Sequence, residues 1–177
     1  MKQIIALGCL CLIAVLAVPA YQQKRDARQR ELPKNSYEYP PEKPPTPDDY
    51  VIKFNQMRNF YDVPGEFGHI MIGKDHGFKS LSFIVTESHP GGGPPLHTHD
   101  TEEAHVLLEG KATYWIENPA THERRVFKVQ APYVTRIPAG FQHTFINDGN
   151  KVFNLVAVFP DDKLTYNEIG KNPLVKK

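Results

Sequence analysis

Between residues 50 and 159 the apolar positions of this chain do not follow a helical spacing; they recur at every second residue, in short runs separated by Gly, Pro, Asn and Asp. Successive side chains of an extended strand point to opposite faces, so runs of this kind predict strands. Strands are expected at 51–54, 69–72, 81–87, 104–109, 112–117, 124–129, 133–137, 142–147 and 152–159. A succession of short strands with turns between them and no amphipathic helix predicts an all-β chain, an antiparallel sandwich or barrel. The turn Asn147-Asp148-Gly149-Asn150 is read as a tight hairpin, because Asp-Gly accepts positive φ angles, and it predicts pairing of 142–147 with 152–159.

Strand parity also organises the polar residues. His97 and His99 are two apart and share a face, as do Glu103, His105 and Leu107, while Glu102 has the opposite parity. His143 stands at the head of an alternating strand, after a turn marked by Pro138 and Gly140. His97, His99, Glu103 and His143 form a set of three imidazoles and one carboxylate that suits Zn, Mn, Fe, Ni or Cu. Four ligands on an octahedral ion leave two adjacent positions for water, oxygen or a chelating molecule. The other histidines, His69, His76, His89 and His122, have no partner at ligand spacing and are expected to be ordinary surface residues. The run Gly91-Gly92-Gly93 lacks the Lys and Ser or Thr of a phosphate loop and precedes no helix, so it is read as a bend before the histidine pair. Trp115 and Phe127 are expected to be packing residues.

Two spaced motifs carry a family resemblance. Gly91, His97, His99, Glu103 and Gly110 satisfy G-x5-H-x-H-x3-E-x6-G, and Pro138, Gly140, His143 and Asn147 satisfy P-x-G-x2-H-x3-N. The chain resembles the cupins in these nine positions. It departs where the second motif opens with glycine six residues before its proline, since Pro132 stands there. The resemblance extends over roughly residues 50–165 and implies a double-stranded β-helix, or jelly-roll barrel, that encloses a cavity. It also implies a single divalent transition metal, Fe or Mn first, with Ni, Zn or Cu as alternatives.

At 177 residues the chain accommodates one ordinary domain. Residues 1–20 have the form of a secretory signal: Lys2, an apolar or small-residue run from Ile4 to Val18, and Val18-Pro19-Ala20 at the expected cleavage site. The run is shorter than the ~20 residues of a spanning helix. Cys9 and Cys11, the only cysteines, both fall within it, so a secreted or periplasmic mature form would contain none. Residues 21–50 hold six prolines between Pro33 and Pro47, six basic and six acidic residues, and few aliphatic ones, which predicts a disordered leader. A barrel over 51–165 and a tail over 166–177 complete the expected organisation. Lys and Arg number 21 against 20 Asp and Glu. This balance gives no reason to expect nucleic acid or an anionic membrane as partner; a small-molecule ligand is expected, and a homodimer is compatible with it.

Three functions fit these residues. The resemblance to quercetinase-like cupins implies a metal-dependent dioxygenase acting on a small oxygen-rich molecule. A redox-neutral isomerase, cyclase or lyase would use the metal as a Lewis acid while a side chain moves a proton. The third is a binding protein for a small ligand or a metal, without turnover. For either chemistry, parity brings His105 into the cavity beside Glu103, with Ala112, Tyr114 and Ile116 facing it from the next strand. Glu103, His105 and Tyr114 are therefore the candidate catalytic residues, against an apolar wall of Leu107, Ile116 and Phe145.

Overall fold

A computed structural model describes residues 31–43, 46 and 49–175. The expected signal at 1–20, the first ten residues of the leader and part of its proline run lie outside the described residues. Twelve strands follow in order: β1 (Tyr37–Tyr39), β2 (Arg58–Asp62), β3 (Glu66–Met71), β4 (Ser82–Ser88), β5 (Leu96–Thr98), β6 (Glu103–Leu107), β7 (Lys111–Glu117), β8 (Arg124–Gln130), β9 (Tyr133–Ile137), β10 (Gln142–Asn147), β11 (Phe153–Phe159) and β12 (Asn167–Gly170). They build a seven-stranded sheet, β1-β2-β3-β4-β11-β6-β9, and a five-stranded sheet, β12-β5-β10-β7-β8. All their pairings are antiparallel. Among the described residues there is no α-helix, only short 3₁₀ turns at Phe54–Gln56 and Gly73–His76, and no helix long and apolar enough to cross a membrane. The architecture is the expected all-β jelly roll.

Alternation explains the core. On β4 every second residue from Ser82 to Ser88 is buried, and on β11 Phe153, Leu155, Ala157 and Phe159 are buried between more exposed neighbours. Ile70, Ile84, Leu107, Tyr114 and Phe145 join them from both sheets in one cluster. Burial of such side chains stabilises the fold by about 1.5–3 kcal/mol each.

Several expectations are corrected. The Asn147-to-Asn150 turn does not close a hairpin: β10 pairs with β5 and β7, whereas β11 pairs with β4 and β6 in the other sheet. Neither Asp148 nor Gly149 has a positive φ. The buried Asn147 instead redirects the chain. Its Nδ2 donates to the carbonyls of Ser88 and Lys151, each at 2.8 Å, and its Oδ1 accepts from Gly149 N at 2.9 Å. The expected strand at 51–54 is absent, because the Gln56 side chain accepts the Lys53 N–H at 2.9 Å and turns the backbone. β1 lies within the leader expected to be disordered, pairing Tyr37 with Tyr61 and Tyr39 with Asn59, and β12 lies within the expected tail, paired with β5. In each case the paired edge strand satisfies backbone groups that composition alone leaves unassigned. His76 and His89 are buried rather than on the surface: His76 Nδ1 bonds Ile72 O at 2.8 Å, and His89 packs on Phe67 and approaches Glu87. His122 is exposed as expected.

The glycine run does more than bend. A Cβ on Gly93 would stand 1.9 Å from the Phe145 carbonyl oxygen, so only glycine lets this loop lie flush against β10. Gly91 N and Asn147 O are joined at 2.8 Å, as are Asn147 N and Gly92 O.

Glu66, on the inward face of β3, is fully buried. Burial, followed by the charge of Asp62, pushes its carboxyl well above the ordinary 4.5.

Asn147→Ala should lower the unfolding free energy by about 2–3 kcal/mol in a urea titration, because buried carbonyls lose their donor. Glu66 gives a prediction of opposite sign. A carboxyl whose folded pKa is raised contributes its stability fully below the ordinary value and loses it as pH rises through the folded one. Glu66→Gln should therefore be more stable than the parent at pH 7 and no more stable at pH 4, compared by denaturation in matched buffers.

Candidate metal centre

His97 and His143 are cross-strand partners on β5 and β10. His99 follows β5 by one residue, and Glu103 opens β6 in the opposite sheet. The cluster therefore bridges the two sheets. One ligand atom from each of the four residues lies within 4.8 Å of the others, and all four residues are buried.

Each ring is held from behind by the main chain. His97 Nδ1 bonds Pro95 O at 2.7 Å, His143 Nδ1 bonds Phe141 O at 3.0 Å, and His99 Nδ1 bonds Thr165 O. A carbonyl can only accept, so the Nδ1 atoms carry the protons and each Nε2 presents a lone pair inward. His99 Nε2, His143 Nε2 and Glu103 Oε2 are fully buried and make no hydrogen bond. Yet His143 Nε2 and Glu103 Oε2 are 2.8 Å apart, and His99 Nε2 is 3.6 Å from the same oxygen. Converging lone pairs at this separation repel unless a cation lies among them.

The electrostatics agree. Burial holds the His97 imidazole well below the ordinary imidazole range, reinforced by His143 and His99, and burial likewise lowers His99. Burial alone would raise the Glu103 carboxyl, but the electrostatic influence of the adjoining imidazoles, His105 first and with its hydrogen bond, outweighs it and holds Glu103 well below the carboxylate range. Neutral imidazoles and an ionised carboxylate are the states a divalent ion requires.

A polar chain leads outward from Glu103. Its Oε1 accepts from His105 Nε2 at 2.7 Å. His105 Nδ1 is then an acceptor for the Tyr114 hydroxyl at 3.1 Å, and Tyr133 donates to Tyr114 at 3.3 Å. Burial raises the Tyr114 phenol well above its ordinary range, followed by its neighbour Tyr133, so it stays a neutral donor. The expected trio of Glu103, His105 and Tyr114 is thus brought together. Leu107 and Phe145 are buried behind it, and Ile116, half-buried, shares its strand face. Sequence reasoning missed Tyr133 and the segment before β12. Tyr166 stacks on His97 with centroids 4.5 Å apart, and its neighbour Thr165 anchors His99. An aromatic residue in an otherwise polar C-terminal run was the available signal.

Comparison with known proteins follows this geometry. The Cupin domain family profile matches residues 84–159. An auxin-binding protein of Nicotiana tabacum, T92, is 26% identical over 106 residues, 55% of either chain. The chain thus spans about half the length of the curated relatives it matches. An oxalate decarboxylase of Lactobacillus farciminis, solved as a formate complex, superposes with a TM-score of 0.59 at 25% identity, over 65% of this chain and 34% of that one. An oxalate oxidase shares the fold at a TM-score of 0.56 and 18% identity, over 61% of this chain and 57% of that one. These enzymes are a decarboxylase and an oxidase, so the matches lend no support to the expected quercetinase-like dioxygenase. The two histidine motifs, the paired antiparallel sheets and these matches together make the chain similar to the cupin superfamily, with the profile match falling on the barrel strands of residues 84–159.

Proposed function

We propose that the protein is a metal-dependent cupin enzyme in which His97, His99, Glu103 and His143 hold one divalent transition ion, and that its substrate is a small organic molecule engaged through oxygen. The observation that carries this reading is the set of three inward atoms, His99 Nε2, His143 Nε2 and Glu103 Oε2, buried without a hydrogen bond while every ring is anchored from behind. Buried polar atoms are rarely left unpaired. Main-chain carbonyls that bind the far nitrogen of an imidazole fix its orientation as a metal ligand. Imidazole with carboxylate suits Mn or Fe as well as Ni, Zn and Cu.

A bound divalent ion would supply Lewis-acid polarisation of a carbonyl or carboxylate oxygen and, if redox-active, an electron couple. The chain's own residues handle the proton. His105 donates through Nε2 to Glu103 Oε1 and can be resupplied at Nδ1 by Tyr114, which Tyr133 supports in turn. Tyr133 is only half-buried, so the chain runs from near the surface to the carboxylate. Leu107, Phe145 and Phe159 keep the surroundings apolar, which strengthens each charge interaction. The likeness to an oxalate decarboxylase supports chemistry at a carboxylate or adjacent carbonyl. Binding without turnover is the second reading, supported by the match to auxin-binding proteins. The apolar N-terminal run supports a secreted or periplasmic location.

Elemental analysis of protein purified from its own compartment should give about one transition ion per chain. His99→Ala should lose most of it and His122→Ala should retain it; equal content in the two variants would sink the ligand assignment. Chelation should also lower the melting temperature, because an ion bound only by the folded chain favours folding by mass action.

Turnover is tested with a panel of small carboxylates and hydroxy-ketones, following oxygen uptake and carbon dioxide release. His105→Ala should retain the ion while kcat falls roughly 100-fold, and Tyr114→Phe should act in the same direction. If the metal-loaded parent binds panel members and converts none, the binding reading stands.

A further inference from the structure

A cleft of about 500 Å³ opens at the gap between the two sheets, where β1 to β4 face the segment leading into β12. Phe60, Ile70, Ile72, Ile84 and Leu164 make its apolar lining. Its charged residues are Glu38, Asp62, Glu168 and Arg58. Arg58 is the only cation lining it among the described residues, and its Nε stands 3.7 Å from Glu38 Oε2. Asp62 and Glu168 form no ion pair among the described residues.

Glu66 adds a second, independent mark. It is the cross-strand partner of Asp62, so both side chains project from the same face of the sheet into the space behind the cleft. Glu66 Oε2 is fully buried and makes no hydrogen bond, nor does the hydroxyl of Ser88 on the facing strand β4, while the neighbouring Thr86 hydroxyl offsets part of the rise of the Glu66 carboxyl. Burial raises the Asp62 carboxyl, a hydrogen bond from Ser36 offsets part of that rise, and the charges of Glu168 and Glu38 raise it further, as expected where like charges converge on one space. Tyr166 lines the cleft on one side and stacks on His97 on the other, so a single aromatic ring separates the cleft from the ligand cluster.

We propose that this cleft holds the body of the substrate, and that the substrate is a cationic amphipath: an apolar body carrying a protonated amine held by Asp62 and Glu168, with Glu66 as the deeper hydrogen-bonding group. The volume suits such a molecule. A bare dianion would meet two carboxylates and no free cation, and its approach would be opposed at every step. The inference rests on the metal-enzyme reading only in calling the ligand a substrate; the cleft and its charges do not depend on the ion.

The test uses the metal-loaded full chain and two probes, tryptamine and indole-3-acetate, which share an indole and differ in charge. Calorimetric titration at low ionic strength should give tryptamine roughly tenfold or greater preference, narrowing as salt is raised. Glu168→Gln, at an exposed position, should reduce the preference, and Asp62→Asn combined with it should abolish it, with metal content unchanged in both. Leu164→Trp, which fills the cleft, should eliminate tryptamine binding. Equal affinity for the probes, preference for the acid, binding of neither, or tryptamine binding that survives Leu164→Trp would each overturn the proposal. A parent that lacks metal yet prefers tryptamine would overturn the metal-enzyme reading and leave this one standing.

Discussion

Three main-chain carbonyls, of Pro95, Phe141 and Thr165, take the Nδ1 protons of three buried imidazoles, and the interior of the barrel is arranged around that arrangement. Once Nδ1 is committed, each Nε2 must face inward as a lone pair. Glu103 arrives among these atoms from the opposite sheet, and the hydrogen bond from His105 helps to hold it ionised against the cost of its burial. The ligand cluster is therefore also a joint between sheets, and the same contacts that shape it fix how the two layers meet.

The fold was legible wherever alternation was strong. The strands at 81–87, 133–137, 142–147 and 152–159 correspond closely to β4, β9, β10 and β11, because one face of each is packed into the core. β1, β2 and β12 were not foreseen. They are short or polar, and they exist because a neighbouring edge supplies backbone partners, which is information held by the sheet rather than the segment. The hairpin expected at Asp148-Gly149 failed for a related reason: local turn chemistry gave way to the buried side chain of Asn147, whose three hydrogen bonds send the chain into the other sheet. Parity placed His97, His99, Glu103, His105 and Tyr114 together, since period two is conserved through every strand that carries them. It had no means of finding Tyr166 or Glu66, which reach the same interior from distant parts of the sequence.

The interior is divided by charge. The ligand cluster offers neutral imidazoles around one carboxylate, while the neighbouring cleft is lined by carboxylates with a guanidinium already engaged. A molecule that spans both must present oxygen to one end and positive charge to the other. The arrangement thus selects for polarity along the ligand's length, a stricter criterion than size or shape, and one on which cupins sharing this fold can differ without any change in the ligand set.

Thr165 stands 66 residues beyond His99 and still holds its ring in place. That distance has a consequence for biogenesis. During synthesis His97 and His99 emerge well before the stretch that orients His99 and covers His97 with Tyr166, so the nascent barrel has a histidine pair long before it has a rigid chelate. The rigid form of the cluster is deferred until residues 165 and 166 have joined the fold.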